Sequence, residues 1–511
     1  MKTIHIAQHD HTLFDFDREL IASLPANGPR YTSYPTADRF HDGFRQPEYE
    51  KTLEKTLKSN NKPVSLYVHI PFCNVICYYC ACNKVITKDS SKADEYLTYL
   101  EKEMALLKPH LYGKHKLAQL HFGGGTPTFL SDEQLERVFK MIREHFELLP
   151  DGEYSIEIDP RKVSRESVFK LGKLGFNRMS VGIQDFDPKV QAAVNRIQTL
   201  EETKEVIEAA RAAGFKSISV DLIYGLPHQS VESIKPTLDT VLNELNPDRL
   251  ALYHYAHLPH IFKPQRRIDT EAVPSSEEKL DILQYAVHLL DEKGYVFIGM
   301  DHFAKPEDEL AIALKEGRLQ RNFQGYSTYA DCDLVAIGVS SIGKIGNTYS
   351  QNQRDLDDYY AELDAGKLPI MRGFQLNEDD VFRRQIIQDL MCRFALNFDD
   401  YADELAKRQP ENSDSGFDAA EVAHMKKMAE LGIISDVLLD RFDAPKTPSF
   451  SEYFADEMPD LRQLAERGLI DLRDDGLTVT PKGRFLIRNI AMVFDYYLRH
   501  KETHAKYSQT V

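Results

Sequence analysis

Four of the six cysteines of this chain lie within one stretch of ten residues, at Cys73, Cys77, Cys80 and Cys82. Structural zinc sites usually combine two C-x2-C pairs, and ferredoxin-like runs close a cluster with four thiolates. The spacing C-x3-C-x2-C-x-C fits neither pattern well. Thiolates from Cys73, Cys77 and Cys80 can hold three irons of a four-iron cluster and leave the fourth iron open. An open iron can bind a ligand and pass it one electron.

Glycines and polar residues follow the strands that the sequence predicts next. GGGTPT, at 123–128, follows the second predicted strand, and glycines allow the backbone to approach a ligand closely. Glu157 closes the third strand, Gln184 follows the fourth, and Asp221 lies in the fifth. Barrel folds place their chemistry at the carboxyl ends of strands. The pattern therefore predicts one active site, ringed by strand ends and including the cysteine loop.

A regular alternation of β-rich runs and amphipathic stretches must position these residues. It covers about residues 62–345 and predicts an α/β fold, a βα repeat with a parallel sheet that is partly or fully closed as a barrel. The predicted strands are SLYVHI (65–70), LAQLHF (117–122), YSIEI (154–158), RMSVGI (178–183), SISVDLI (217–223), LALYHYA (250–256) and YVFIGM (295–300).

The pattern divides the chain into three parts. Residues 1–47 are expected to form an N-terminal arm, 48–375 the barrel, and 376–511 a mainly helical C-terminal domain. Near the end, a hairpin turning at Asp475-Gly476 and a helix with Thr480 as its N-cap are expected to give a winged-helix-like end. The segment near 400–450 is expected to be an insertion or a divergent region.

Composition limits the class of protein. With 511 residues, 42% hydrophobic and 28% charged residues, the chain has the composition of an ordinary globular protein. Its net charge of −17 argues against broad nucleic-acid binding, which needs a basic surface. No run of about 20 apolar residues and no signal-peptide pattern is found, so we expect a cytoplasmic protein without a membrane span.

The combination of the cysteine spacing after the first strand and GGGTPT after the second resembles the radical S-adenosylmethionine superfamily. The fourth cysteine, Cys82, narrows the resemblance to the oxygen-independent coproporphyrinogen III oxidases of haem biosynthesis. Further runs that are similar to that family extend along most of the chain. They include GPRYTSYPTA (28–37), SLYVHIPFC (65–73), IEIDPR (156–161), GIQDF (182–186), DLIYGLP (221–227), YAHLP (255–259), RNFQGY (321–326) and LIRNI (486–490).

The resemblance implies cofactors and the residues that hold them. It implies a [4Fe-4S] cluster on Cys73, Cys77 and Cys80, and two S-adenosylmethionine molecules. Positions that match the family for the cluster-bound molecule are Tyr67, Gly124, Glu157 and Ile342. Those that match for the second molecule are Tyr79, Gly125, Thr126, Gln184, Arg196, Asp221 and Ala256.

The resemblance also implies the reaction. A 5′-deoxyadenosyl radical abstracts a hydrogen from the β-carbon of a propionate, and loss of CO₂ and one electron leaves a vinyl group. Two propionates of coproporphyrinogen III react in this way to give protoporphyrinogen IX. No side chain is expected to act as a conventional acid or base. An electron donor protein is implied as a partner, and the chain is expected to be monomeric.

Four basic residues are candidates for binding the substrate's propionates, because a buried carboxylate needs a cationic partner. They are Arg30, Lys84, Arg266 and Arg267.

Three other interpretations stay open from the sequence. A haem chaperone of the same superfamily would bind haem without turnover, but it is expected to lack Cys82 and the GPRYTSYPT run at 28–36. A different radical enzyme that acts on tetrapyrroles fits less well with YAHLP and RNFQGY. An electron-transfer or cluster-scaffold protein would not need the glycine run or the polar strand ends.

Overall fold

The computed structural model describes residues 15–24, 27–329, 332–408 and 447–500, together with His424, Lys427 and Met428. Most of the segment near 400–450 therefore lies outside the described residues. None of the described helices is long and apolar enough to cross a bilayer.

Nineteen strands are assigned within the described residues. They are β1 (Val64–Ile70), β2 (Phe72–Cys73), β3 (Val85–Ile86), β4 (His115–Gly124), β5 (Phe146–Ile158), β6 (Arg178–Gln184), β7 (Ser217–Tyr224), β8 (Arg249–His254), β9 (Val296–Gly299), β10 (His302–Ala304), β11 (Gln320–Asn322), β12 (Gly325–Ser327), β13 (Asp333–Ile337), β14 (Ile342–Ile345), β15 (Thr348–Asn352), β16 (Ile370–Gln375), β17 (Ala395–Asn397), β18 (Ile470–Arg473) and β19 (Gly476–Val479).

Helices alternate with many of these strands. They are α1 (Arg18–Ala22), α2 (Gln46–Thr56), α3 (Ser91–Leu107), α4 (Asp132–His145), α5 (Arg165–Leu174), α6 (Pro188–Ala193), α7 (Leu200–Ala212), α8 (Val231–Thr240), α9 (Ser276–Glu292), α10 (Glu309–Lys315), α11 (Leu356–Asp364), α12 (Glu378–Arg393), α13 (Ala402–Ala406), α14 (Phe450–Tyr453), α15 (Met458–Glu466), α16 (Ile487–Ala491) and α17 (Tyr496–Arg499).

A twelve-stranded sheet forms the core, in the order β16-β15-β14-β13-β1-β4-β5-β6-β7-β8-β10-β9. The strands β1, β4, β5, β6, β7 and β8 run parallel in chain order, and β13 joins the other side of β1, also in parallel. The outer strands are β16 and β9, so the sheet is a partial barrel. The predicted α/β fold with a parallel sheet is confirmed.

The last predicted strand differs from expectation. Residues 295–300 form β9, but antiparallel β10 lies between β9 and β8. Met300 has a left-handed φ of 54°, which allows the chain to reverse directly after β9. Strand β10 then pairs with β8, so β9 is an outer strand rather than the next parallel one.

Local sequence explains how the helices around the sheet begin. Ser131 before α4 and Thr199 before α7 each form a capping box with the residue three positions later. These reciprocal bonds satisfy backbone groups that the first turn leaves free. The inward face of α7 buries Thr203, Val206, Ile207 and Ala210, a helical spacing that packs its apolar side on the sheet.

Backbone contacts divide the chain into two units. One comprises the described residues of Met1–Arg393 and Phe485–Val511, and the other comprises those of Phe394–Arg484. The second unit contains a three-stranded antiparallel sheet in the order β17-β19-β18. The boundaries predicted at 47 and 375 stay predictions.

The predicted hairpin near the C-terminus exists, with two corrections. Arg473 pairs with Gly476, so the turn lies at Asp474-Asp475 and Gly476 is already in strand β19. Thr480 does not begin an α-helix, because its hydroxyl bonds to the Gly468 carbonyl at 2.7 Å and accepts from the Gly483 amide. Those bonds hold a turn, and the helix begins only at Ile487.

Candidate functional site

The cysteine loop, residues 71–86, leaves the carboxyl end of the central strand β1. Short parallel strands β2 and β3 close its base, with the Val85 amide donating to the Pro71 carbonyl at 2.7 Å. The Thr87 amide donates to the Cys73 carbonyl at 3.0 Å. The loop is therefore tied at both ends, and it carries the cysteines directly above the sheet.

The glycine loop, residues 123–128, packs directly on the cysteine loop. The Gly125 amide donates to the Ile70 carbonyl at 2.8 Å, and the Thr126 amide donates to the Phe72 carbonyl at 2.9 Å. A Cβ at Gly125 would lie 2.6 Å from the carbonyl oxygens of Pro71 and Phe72. This close approach requires glycine, and it fixes the two loops against each other.

Two arginines, one buried and one largely buried, face the cysteine loop. Arg196 Nη1 lies 3.7 Å and Arg161 Nη2 lies 3.9 Å from the Cys77 sulfur. Asp159 holds both guanidinium groups, at 2.6 Å from Arg161 and 3.6 Å from Arg196. Burial alone would raise the pKa of Asp159, but the hydrogen bonds and charges of the two arginines hold it below its ordinary value. The two guanidinium groups therefore place positive charge beside the Cys77 sulfur.

Cys82 contacts a neighbouring cysteine. A hydrogen bond from its thiol to Cys80 is the largest cause that lowers the pKa of Cys80 to about 6, and Lys84 adds to it. The Lys84 ammonium donates to the carbonyls of Cys80 and Cys82, at 2.9 and 3.2 Å. Cys82 and Lys84 thus both support the segment that carries Cys80.

The donor set fits a four-iron cluster. Three thiols on one loop, with two guanidinium groups behind Cys77, supply soft sulfur ligands and compensating positive charge. In the described part of the chain, no three His, Cys, Asp or Glu side chains converge as the ligands of a single metal ion. In a four-iron cluster, each of three thiolates binds a different iron, so such convergence is not needed.

Tyr67, Gly124 and Glu157 come together beside this loop. The Gly124 amide donates to Glu157 Oε2 at 3.3 Å. His121 lies between the other two, 3.3 Å from Glu157 Oε1 and stacked on Tyr67 with 5.9 Å between ring centroids. His69 Nε2 faces the Asn83 carbonyl, which can only accept, so Nδ1 accepts from the Tyr67 hydroxyl at 3.0 Å.

Burial keeps two of these side chains, His69 and Tyr67, neutral. It lowers the pKa of His69 to about 4, and it raises the pKa of Tyr67 well above its ordinary value, with Glu157 adding to the effect. The Tyr67 hydroxyl therefore keeps its proton and stays a hydrogen-bond donor.

Ile342, the fourth predicted contact of the cluster-bound molecule, lies on β14. Its side chain packs against a cluster of Phe40, Tyr349 and Leu376.

Gln184 and Arg196 meet at the end of β6. A Cβ on Gly182 would lie 2.9 Å from both Arg196 Nη2 and Gln184 Nε2, and Arg196 donates to the Gly182 carbonyl at 2.6 Å. Gln184 has a left-handed φ of 70°, at an irregularity in the pairing of β6 with β7. A strained residue at a strand end is typical of functional sites.

Asp221 lies on the neighbouring strand β7. It accepts from the Ser180 hydroxyl at 3.0 Å. Burial, followed by the charge of Glu157, raises the pKa of Asp221 to about 7. Burial works to lower the pKa of Arg196, but Tyr79, Asp159 and Cys77 raise it above the ordinary arginine value. Arg196 is therefore a permanent cation, whereas Asp221 can change its charge near neutral pH.

Gln265 links Tyr79 and Ala256, the remaining two positions predicted to bind the second S-adenosylmethionine molecule. Gln265 Nε2 donates to the carbonyls of Tyr79 and Ala256, at 3.2 and 3.0 Å. Tyr79 also packs against a buried cluster that includes Val190, Val194 and Tyr255.

The four basic candidates differ in their surroundings. Lys84 is bonded to the cysteine loop. Arg266 donates to the Pro259 carbonyl at 2.9 Å on the exposed surface, and Arg267 lies over the Tyr78 ring at 5.4 Å. Arg30 is partly buried and pairs with Asp301.

Sequence reasoning missed several side chains at this site, namely His69, His121, Arg161 and Gln265. His69 stands four residues before Cys73, and His121 stands two residues before the glycine loop. Their closeness in sequence to these two motifs could have identified them as site residues. Nothing in the local sequence marks Gln265, because its bond to the Tyr79 carbonyl joins segments far apart in the chain.

The chain is similar to known proteins over most of its length. A family model described as the Radical SAM superfamily matches residues 67–241. A protein of Pseudomonas aeruginosa named oxygen-independent coproporphyrinogen III oxidase is 47% identical over 485 residues, covering 94% of this chain and 96% of that protein. A protein of Escherichia coli with the same name is 44% identical, covering 97% of this chain and 99% of its own length.

A solved structure is similar over the same extent. It is coproporphyrinogen III oxidase from Escherichia coli, described as a radical SAM enzyme. It superposes with a TM-score of 0.81 at 42% identity, covering 95% of this chain and 100% of the solved chain.

Proposed function

The chain belongs to the family of the oxygen-independent coproporphyrinogen III oxidases, within the radical S-adenosylmethionine superfamily, and from this premise we propose how its residues divide the reaction. It is an oxidoreductase that converts two propionates of coproporphyrinogen III to vinyl groups without oxygen, giving protoporphyrinogen IX in haem biosynthesis. Its cofactors are a [4Fe-4S] cluster and S-adenosylmethionine.

Cys73, Cys77 and Cys80 would hold the cluster. When bound, the cluster and S-adenosylmethionine supply a carbon-centred adenosyl radical that takes a hydrogen atom from the β-carbon of a propionate. The observation that carries this assignment is the packing of the glycine loop on the cysteine loop through the Gly125 and Thr126 amides. A ligand bound to the open iron would therefore contact the backbone of the glycine loop.

Tyr67, Gly124 and Glu157 would bind the first S-adenosylmethionine. Glu157 is only half-buried and already accepts from the Gly124 amide, so an oxygen lone pair is left for a ribose hydroxyl. His121 holds that carboxylate in place. Ile342 would supply an apolar contact.

The second S-adenosylmethionine would be held by opposite charges. Arg196 suits a carboxylate and Asp221 suits an ammonium group, the two charges of an amino acid. Gln184, which meets Arg196 at Gly182, adds amide hydrogen bonds. Tyr79, Gly125, Thr126 and Ala256 would complete this second site.

The protein's remaining task in the reaction is to position the substrate. The adenosyl radical reacts indiscriminately, so the protein's contribution is orientation of the substrate and exclusion of water. No conventional acid or base is needed. An electron donor protein would reduce the cluster. We also propose that the chain works as a monomer, and in the cytoplasm, because reducing conditions preserve the free cysteines that hold the cluster.

Isotope transfer tests this assignment. Coproporphyrinogen III deuterated at the propionate β-carbons should deliver one deuterium to each 5′-deoxyadenosine that accompanies decarboxylation. A Cys73→Ala variant, treated identically, should give neither deuterated nor unlabelled 5′-deoxyadenosine. Vinyl formation with all of the deuterium lost to solvent, or haem binding with no turnover, would contradict the proposal.

A further inference from the structure

Three arginines from distant parts of the chain come together next to the barrel. Arg321 Nη2 donates to the Arg30 carbonyl at 3.3 Å, and Arg488 Nε donates to the Pro29 carbonyl at 2.9 Å. Each arginine belongs to a different run, 28–37, 321–326 and 486–490, that resembles the oxidase family and that the cofactor sites do not use. We call Arg30, Arg321 and Arg488 the arginine cluster.

The arginine cluster concentrates positive charge in a largely buried place, where two of the arginines are buried and the Arg30 side chain is 34% exposed. Arg30 pairs with Asp301, which is the one acidic residue lining its cavity in the described part of the chain. Arg321 is 8% exposed and Arg488 is 2% exposed. Burial, then the charges of Arg30 and Arg321, lowers the pKa of Arg488 to about 9. Gathering like charges away from water is costly, so this arrangement fits an anionic ligand.

Polar groups without a partner point to the same conclusion. The Nε of Arg321 is buried without a hydrogen-bond partner among the described residues, and so are both ring nitrogens of His254. His254 lines the same cavity as Arg30 and Arg488, whereas Arg321 lines a second cavity together with Tyr31 and Thr32, which follow Arg30 in the chain. Burial, with Lys279 and the arginines, lowers the pKa of His254 to about 3, so its ring is neutral and one nitrogen donates. A buried site with unused donors is ready for a hydrogen-bond acceptor.

The arginine cluster is connected with the cofactor sites. Phe303 lines the cavity of Arg30 and also the barrel cavity that contains His121 and Asp221. After burial, the charges that act on the Tyr253 hydroxyl come from Asp221 and Glu157, which raise its pKa, and from Arg30 and Arg321, which lower it. Tyr253 thus lies between the proposed cofactor-binding carboxylates and the arginine cluster.

We propose that Arg30, Arg321 and Arg488 bind a propionate carboxylate of the tetrapyrrole substrate while a different propionate lies at the radical site. This inference rests on the proposed function and identifies residues that position its substrate. The substrate has four propionates and the product keeps two, so a carboxylate is present for this site throughout the reaction. Guanidinium groups bind carboxylates with paired, directional hydrogen bonds, which would fix the orientation of the macrocycle.

A purely structural role is the competing explanation. Arg488 and Arg321 donate to backbone carbonyls at Gly28, Pro29 and Arg30, so they also fasten this segment to the barrel. The two roles differ in what they predict for Asp301. If the cluster only fastens the segment, removing the Asp301 charge leaves porphyrin affinity unchanged. If it binds a carboxylate, removing the internal competitor strengthens binding.

Porphyrin binding to the unreduced holoenzyme tests the proposal. Coproporphyrin III, the stable oxidised form of the substrate, is titrated while its fluorescence is followed. Arg321→Gln should weaken binding about 10- to 100-fold, because a hydrogen-bonded charge is lost. Arg321→Lys should recover part of the affinity, and Asp301→Asn should bind several-fold more tightly. Arg318→Gln, at an exposed arginine paired with Glu316, should bind like the unchanged protein.

The readouts separate the possible failures. In turnover, Arg321→Gln should raise KM more than it lowers kcat, with iron content and S-adenosylmethionine binding unchanged. Unchanged porphyrin affinity in Arg321→Gln, or in Asp301→Asn if the first variant does not fold, would overturn the inference while the unchanged protein still turns over. Failure of the proposed function would instead appear as no turnover by the unchanged protein.

Discussion

At the scale of single residues, we propose that three cysteines are cluster ligands and that a fourth supports one of them. Cys73, Cys77 and Cys80 match the three-thiolate spacing, whereas Cys82 hydrogen-bonds to Cys80. The sequence alone could predict these three ligands, because their spacing is local. It could not assign the partner of Cys82, since that contact depends on how the loop folds.

Two alanine variants test this division. Cys73→Ala should lose the cluster, because two thiolates cannot hold three of its irons. Cys82→Ala should retain most of the iron, since it removes a hydrogen bond to one ligand rather than a ligand. Iron content and visible absorbance after anaerobic reconstitution provide the measurement. A Cys82→Ala protein without iron would show that Cys82 is a ligand.

Because the pKa of Asp221 is raised, we expect the affinity for the second S-adenosylmethionine molecule to depend on pH. Its pKa is raised to about 7 by burial and by Glu157, so the carboxyl is neutral below that pH in the free protein. Binding of an ammonium group needs the carboxylate. Affinity for the second molecule should therefore fall about tenfold between roughly pH 8 and pH 6.

Equilibrium dialysis of labelled S-adenosylmethionine measures both sites in one experiment. Asp221→Asn should bind the second molecule weakly at every pH, and the first site provides the internal control. Equal second-site affinity at both pH values in the unchanged protein would refute this role of Asp221.

At the scale of elements, the site depends on two loops that leave the ends of neighbouring strands. The alternating pattern predicted β1 and β4, together with the loop at the carboxyl end of each strand. The contact between the loops could not be read from the pattern, because it depends on Gly125 meeting the carbonyls of Pro71 and Phe72. The hairpin that places β10 beside β8 was also missed, because only three residues form β10.

Gly125→Ala tests the contact between the loops. The added methyl would lie 2.6 Å from two carbonyl oxygens of the cysteine loop, so that loop must move. We expect most of the iron to be lost while the secondary structure is retained. Gly214→Ala is the control, because a Cβ there meets open space at a φ of +84°. It should cost about 1 kcal/mol of stability and keep the iron. Full iron content in Gly125→Ala would contradict this account.

A buried carboxyl on α3 links this helix to the sheet. Glu103 accepts hydrogen bonds from the Gly338 amide at 2.8 Å, Asn352 at 2.6 Å and Tyr359 at 2.5 Å. Burial raises its pKa to about 7, above the value of an unfolded chain. The folded state therefore binds this proton more tightly. The resulting stabilisation is complete below the unfolded pKa and is lost as pH rises through about 7.

Urea unfolding of Glu103→Gln measures this contribution. Between about pH 5 and pH 8, titration of Glu103 should lower the free energy of unfolding of the unchanged protein by up to about 3 kcal/mol. The Glu103→Gln variant should not show this decrease. Glu101→Gln, at an exposed residue of the same helix paired with Arg137, should keep the full dependence. Identical pH dependence in all three proteins would show that Glu103 does not titrate in this way.

At the scale of the whole molecule, the order of the parallel strands follows the chain from β1 through β8. Periodicity predicted that part because each βα unit is local. Strand β13, which completes the other side of β1, and the arginine cluster depend on segments far apart in sequence. Such associations arise only when the chain folds, so the sequence could name Arg30 as a candidate for a propionate but could not show that Arg321 and Arg488 lie beside it.

Product stoichiometry tests the reaction itself. The anaerobically reconstituted protein is incubated with coproporphyrinogen III, S-adenosylmethionine and a reductant, and CO₂ and tetrapyrroles are quantified. We expect protoporphyrinogen IX with two CO₂ for each molecule formed, in a reaction that stops when S-adenosylmethionine is omitted. Cluster-loaded protein that releases no CO₂, or releases it without S-adenosylmethionine, would contradict the account.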